Sequence, residues 1–122
     1  MTTDELKLRT KKFSLEIIDL VEKLPNSISA RVVANQIVKS ETSVGANYRA
    51  VWRARSDREF VSKMNIVLEE ADETVFWLEI ITDKKWVVES ETQNLLNEGN
   101  QLTAIFVSSL KTVNSRIKDS KI

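Results

Sequence analysis

Eighteen Lys and Arg balance eighteen Asp and Glu in this chain of 122 residues, so no overall field draws it to nucleic acid or an anionic membrane, and any such attraction must come from a local patch. It contains no cysteine and no histidine, which removes disulfides, thiolate zinc sites, cysteine nucleophiles and the Ser-His-Asp triad together. With 42% hydrophobic residues, two glycines and one proline, the composition fits one mostly helical domain, 1–122, of a size that buries roughly two thirds of its unfolded surface.

The opening MTTDELKLRTKKF lacks the apolar run of a signal peptide, and no stretch of eighteen apolar residues follows. A cytoplasmic location is the expectation. Helical periodicity first places Phe13, Ile17, Leu20, Val21 and Leu24 on one stripe, a helix over about 5–24 that stops at Pro25 because proline disfavours helix in the residue before it. Asn26 or Ser27 then serves as the cap of a second helix, about 27–55. Its inner face carries Val33, Ile37, Ser40, Val44, Tyr48 and Val51.

Ser56 and Glu59 have capping-box spacing and open a third helix, about 57–84, with Phe60, Met64, Val67, Leu68, Ala71, Val75, Leu78 and Ile81 inward. Lys84 and Lys85 suit its negative C-terminal end. Ser90 and Gln93 repeat the capping-box spacing and open a fourth helix, about 90–118, along Leu95, Gly99, Leu102, Phe106, Leu110, Val113 and Ile117. Four amphipathic helices with short connections make an all-α, antiparallel up-down-up-down four-helix bundle. Glycine within a helix costs up to about 1 kcal/mol relative to alanine, so Gly45 and Gly99 point to close helix approach.

The inner stripes leave apolar residues over. Leu8, Leu15 and Ile18 project opposite the Phe13 stripe, and Phe76, Trp77 and Ile80 lie away from the Phe60 stripe. In so small a chain a second apolar face points to a subunit interface, since aromatic residues are enriched at interface cores; the alternative is cover by a connecting loop or the N-terminal arm. The outward side of the second helix carries Arg31, Asn35, Lys39, Thr42, Arg49 and Arg53, with Glu41 displaced to its flank. Trp52 beside this basic stripe gives the arginine and aromatic pairing that single-stranded nucleic acid uses; the competing reading has the arginines paired with acids of a neighbouring helix or subunit. The third helix carries Glu69, Glu70 and Glu73, whose spacing allows the alternative of a metal-dependent hydrolase resembling the all-helical nucleotide pyrophosphohydrolases. The second acidic helix such a site needs is missing, and no cofactor, metal site or catalytic residue is implied. The chain reads as non-enzymatic.

The segment SETSVGANYRAVWRARSDREFVSKMNIVLEEADETVFWLEII, together with Phe13 and Gln36, resembles the bacterial four helix bundle protein family, also called the 23S rRNA intervening-sequence protein family, a relative of the accessory variability determinant of diversity-generating retroelements. The matching positions are Phe13, Gln36, Ser43, Ala46, Asn47, Phe60, Glu70, Glu73 and Leu78. The resemblance implies an antiparallel four-helix bundle assembled as a ring-like homopentamer; the retroelement relatives are strongly basic, bind nucleic acid and contact a reverse transcriptase. Among the matching positions, Gln36, Ser43 and Asn47 are expected to form an inner polar cluster with Glu70 and Glu73, because buried polar groups need partners. RNA, DNA or an acidic protein is the expected partner of the Arg31, Lys39, Arg49, Trp52, Arg53 surface.

Overall fold

The first three helices each start where a side chain replaces the missing partner of a first-turn amide. The computed structural model describes residues 1–120. At its start Thr2 Oγ1 accepts from the Glu5 amide at 3.1 Å while Glu5 Oε2 accepts from the Thr2 amide at 3.4 Å, a capping box that starts α1, Thr3–Val21, two residues ahead of the expected boundary. Two tight turns, Lys23 N to Leu20 O and Leu24 N to Val21 O, carry the chain to Pro25. Ser27, not Asn26, caps α2, Ile28–Val51, by accepting from the Ala30 amide at 3.2 Å.

Helix α2 ends four residues short of the expected boundary. The chain turns through Arg53 N to Ala50 O and Ala54 N to Val51 O, because Ser56 must reach an extended backbone, φ −154° and ψ 164°, to cap α3, Asp57–Asp83. At the far end of α3 the Lys85 backbone sits at φ 57°, and the Trp86 amide reaches back to the Ile81 carbonyl, closing the helix in the left-handed manner usually given to glycine. Helix α4, Glu89–Ser120, begins before the expected Ser90 cap. Ser90 therefore lies inside the first turn, and Gln93 donates to Asn97 rather than to a cap. Glu89 and Glu91 place negative charge at the positive end of that helix.

The helices form an all-α four-helix bundle. α1 packs beside α2 and α4, and α3 beside the same two, so α1 and α3 are diagonal. The inner stripes meet in one core where Phe13, Ile17, Ile37, Tyr48, Met64, Leu78 and Phe106 are buried. Both glycines mark close approach: a Cβ on Gly99 would lie 3.2 Å from Val75 Cγ2 and 3.5 Å from Phe13 Cζ, and one on Gly45 would lie 3.3 Å from Ser14 Oγ. Tyr48 stacks at a tilt on Phe106 with ring centroids 5.5 Å apart, but its buried hydroxyl has no hydrogen-bond partner among the described residues. Removing that hydroxyl relieves an unpaid desolvation. Tyr48→Phe is expected to raise stability by about 1 kcal/mol in urea denaturation; a loss of similar size would show that the hydroxyl is bonded.

Candidate interaction surfaces

The outward row of α2 is built as its periodicity predicts, with Arg31, Lys39 and Arg49 exposed along one side. Arg53 lies beyond the end of the helix, in the turn, and extends the row toward the α2–α3 connection. None of the four forms an ion pair among the described residues; the ion pairs found join Arg9 to Glu98, Lys23 to Glu91, Lys63 to Glu59 and Arg116 to Asp57. Arg31 donates instead to the Asn26 side chain at 2.6 Å. Trp52 is 42% exposed. Its ring turns away from the row toward α3, meeting Phe60 edge-on at 5.3 Å and Tyr48 at 6.2 Å.

Zero net charge hides a strong axial asymmetry. Contacts between Ser14 and Glu41, Ser40 and Thr74, and Gly99 and Phe13 set the level of the four helices along the bundle. Cutting there, the half made of 1–13, 44–70 and 103–120 holds twelve Lys and Arg against seven Asp and Glu. The half made of 14–43 and 71–102 holds five against eleven. Arg49, Arg53, Arg55, Arg58 and Arg116 all lie in the basic half, where their fields add within a Debye length of roughly 8 Å at physiological salt.

Glu41 departs most from its expected place. Helical phase sets it on the flank of the basic row, yet it is 1% exposed, sealed between α2, α1 and α3. At about 100° per residue Glu41 falls close in phase to inward Tyr48, seven residues on, so the displacement is small. It matters because Gly45 and Ser14 let α1 come close enough to cover that flank. Burial pushes the Glu41 carboxyl up to about 9; Ser14 and Thr74 hydrogen bonds offset part of this, and the charge of Glu98 adds to it. The support from Ser14 is thin, since its one hydroxyl is shared among the Thr10 carbonyl at 3.1 Å, the Glu41 carbonyl at 3.2 Å and Glu41 Oε1 at 3.5 Å. Glu98 itself is held by the Arg9 guanidinium through Nε at 2.7 Å and Nη2 at 2.5 Å.

The inner polar cluster therefore differs from the expected one. Asn47 donates to the Ser43 carbonyl at 2.9 Å and hydroxyl at 2.8 Å, within α2, and no hydrogen bond joins Gln36, Ser43 or Asn47 to Glu70 or Glu73 among the described residues. Glu73 is exposed. Glu70 is held above its ordinary range by partial burial and then by Glu73, while Lys39 draws it down. Ser40, Glu41 and Thr74 are buried together with half-buried Ser14 against them, the Ser40 and Thr74 hydroxyls 2.8 Å apart across α2 and α3, while buried Thr10 and Thr92 bond to carbonyls of their own helices. Ser40 is inward on the helical wheel, whereas the burial of Glu41 shows only once α1 covers it. Glu73 interacts with Glu70, but no group of three metal-ligating side chains occurs among the described residues.

The leftover apolar residues form two patches rather than one. Leu8 and Leu15 are 68% and 53% exposed on the outside of α1, with Ile18 beside them; Phe76 is 51% exposed on the outside of α3. Since α1 and α3 are diagonal, the patches face opposite ways. Trp77 and Ile80 are half-buried against the core, and the Trp77 indole N–H is buried without an acceptor among the described residues. Lys7, Lys11 and Lys12 flank the α1 patch, whereas Glu69, Asp72 and Glu73 flank the α3 patch. No described helix is long and apolar enough to cross a membrane.

Comparison with curated proteins finds no match. Among solved structures, a crystal structure at 1.70 Å of a protein of unknown function from the S23 ribosomal protein family of Bacteroides thetaiotaomicron VPI-5482 is similar, with 31% identity and a TM-score of 0.79 over 86% of this chain and 97% of that one. The sequence pattern described as 23S rRNA-intervening sequence protein matches residues 5–108, from the first turns of α1 to well into α4. By that match over most of its length, the chain belongs to the 23S rRNA-intervening sequence protein family.

Proposed function

We propose that this chain is a non-enzymatic cytoplasmic scaffold that assembles with copies of itself and presents its basic half to nucleic acid. The observation that carries the reading is the set of arginines at the basic end without an ion pair among the described residues, Arg49, Arg53, Arg55 and Arg58, in a molecule whose basic and acidic residues are separated along its axis; Arg31 and Lys39 continue the exposed row into the other half. Unpaired arginines in one field favour a polyanion, and such binding weakens steeply with salt through counterion release.

Two opposed patches favour head-to-tail assembly, α1 of one copy against α3 of the next, because heterologous contacts close into rings when the rotation allows. The lysines beside Leu8 and Leu15 complement the acids around Phe76. A ring of five is what the family resemblance implies. Mixing tests this geometry. Leu15→Glu and Phe76→Glu should each leave a monomer by light scattering, and an equal mixture should regain a two-copy species through the one intact face of each chain. A mixture that stays monomeric while both variants fold would overturn head-to-tail assembly. In parallel, labelled RNA and DNA should bind the natural chain in a salt-dependent way and lose affinity for the Arg49→Glu, Arg53→Glu variant; unchanged affinity would remove the nucleic-acid reading.

A further inference from the structure

At the basic end of the bundle a groove of about 280 Å³ runs between Trp52, Phe60 and the C-terminal half of α4. This volume falls just below the range usual for drug-sized ligands. It suits one flat ring. Trp52 meets both of its aromatic neighbours nearly at right angles, 74° to Tyr48 and 72° to Phe60, so neither ring lies parallel on the indole. The opposite wall brings Ser108, Ser109 and Thr112 from successive turns of α4, with Val113 beneath them. The Ser108 and Ser109 hydroxyls have no hydrogen-bond partner among the described residues, and Thr112 spends its proton on the Ser108 carbonyl.

Arg116 closes the groove. Its Nε and Nη2 reach the Asp57 carboxylate at 3.3 Å and 3.1 Å, an exposed pair of the kind that contributes little and exchanges readily. Nη1 is left over. Arg53, Arg55 and Arg58 stand around the same turn without an ion pair among the described residues. An indole platform, hydroxyls able to donate and accept, an apolar floor and a rim of guanidinium groups match an unstacked nucleobase with its neighbouring phosphates. Duplex nucleic acid offers phosphates but keeps its base faces stacked.

We propose that this groove holds one unpaired base of a single-stranded nucleic acid, stacked on Trp52 with its edge on Ser108 and Ser109 and its phosphates on Arg116 and the α2–α3 arginines. The inference rests on the nucleic-acid reading of the basic half and narrows it, making the surface selective for single strands. An acidic peptide would satisfy the arginines but leave the indole unused.

The test uses the full-length chain, a labelled 12-nucleotide oligouridylate and a labelled 12-base-pair duplex, read by anisotropy at about physiological salt, with Trp52→Leu, Trp52→Phe and Ser108→Ala, Ser109→Ala variants checked for helicity. Stacking of one base is worth enough that Trp52→Leu should weaken oligouridylate at least about tenfold and leave duplex affinity unchanged, while Trp52→Phe keeps most of it. Equal loss for both probes, or no loss for either, would overturn the groove site while leaving the arginine surface standing. Competition by oligoglutamate as strong as by unlabelled oligouridylate would also overturn it, by showing that charge alone is read. No binding of either probe by the natural chain would remove the underlying nucleic-acid reading and the groove with it.

Discussion

Replacing Glu41 by glutamine is expected to flatten the dependence of stability on pH and to raise stability at pH 8 by several kcal/mol. The carboxyl is pushed up to about 9 in the folded chain, whereas an unfolded glutamate titrates near 4.3. Between those values the folded state holds a proton that the unfolded state has released, so each pH unit of alkalinity removes about 1.4 kcal/mol of stability. The contribution is fully present below the unfolded value and is lost as pH rises through the folded one. From pH 5 to pH 8 the natural chain should therefore lose roughly 4 kcal/mol through this group alone. The groups facing Glu41 offer little relief: Ser14 on α1 and Thr74 on α3 are neutral, and Glu98 on α4 repels it.

Glutamine fills the same volume, bonds to the same hydroxyls and has no proton to lose. The comparison is urea denaturation of both chains at pH 5, 6.5 and 8. Equal slopes would mean that Glu41 is ionised and hydrated in the folded chain, and that α1 does not seal it. Other carboxylates are paired with cations, among them Glu98 with Arg9 and Asp57 with Arg116. These pairs are common to both chains and cancel in the difference.

The bundle is legible in the sequence because its core follows helical periodicity closely. Phe13, Ile17, Leu20, Val33, Ile37, Val44, Tyr48, Leu102 and Phe106 are all inward on the wheel and all buried. The boundaries are less legible. Helix α2 gives up its last turn so that Ser56 can cap α3, a competition between two local signals that periodicity does not rank. Ser90 offers capping-box spacing, yet α4 starts before it.

The polar interior was not legible for a different reason. Whether a flank position such as Glu41 is covered depends on how near the neighbouring helix comes, and that distance is set by Gly45 and Ser14 in two different elements. The same holds for the charge asymmetry. Its residues come in short clusters far apart in the chain, Arg49 to Arg58 and Glu69 to Glu73 among them, and only antiparallel folding gathers Arg49 to Arg58 with Arg116. Trp52 is visible in the sequence as an aromatic beside arginines. The α4 wall opposite it is not, since fifty-six residues separate Trp52 from Ser108.

Truncating Phe106 is expected to cost about 3–5 kcal/mol, a large part of the 5–15 kcal/mol typical of a folded domain. The ring is fully buried on α4 and supports Tyr48 of α2, which in turn meets Trp52, which meets Phe60 of α3. One aromatic file thus links three helices from the core to the groove at the basic end. Phe106→Ala leaves a cavity under Tyr48, so stability and the setting of Trp52 should fall together. Phe76→Ala supplies the contrast, because that ring is half exposed and its loss should change the stability of the isolated chain by less than about 1 kcal/mol. Urea denaturation of both variants, under conditions where light scattering shows a single chain, separates the two cases. A loss at Phe106 no greater than at Phe76 would mean that α2 and α4 do not pack through this file. If Phe106→Ala folds at low temperature but binds oligouridylate as weakly as Trp52→Leu, the core holds the platform in place.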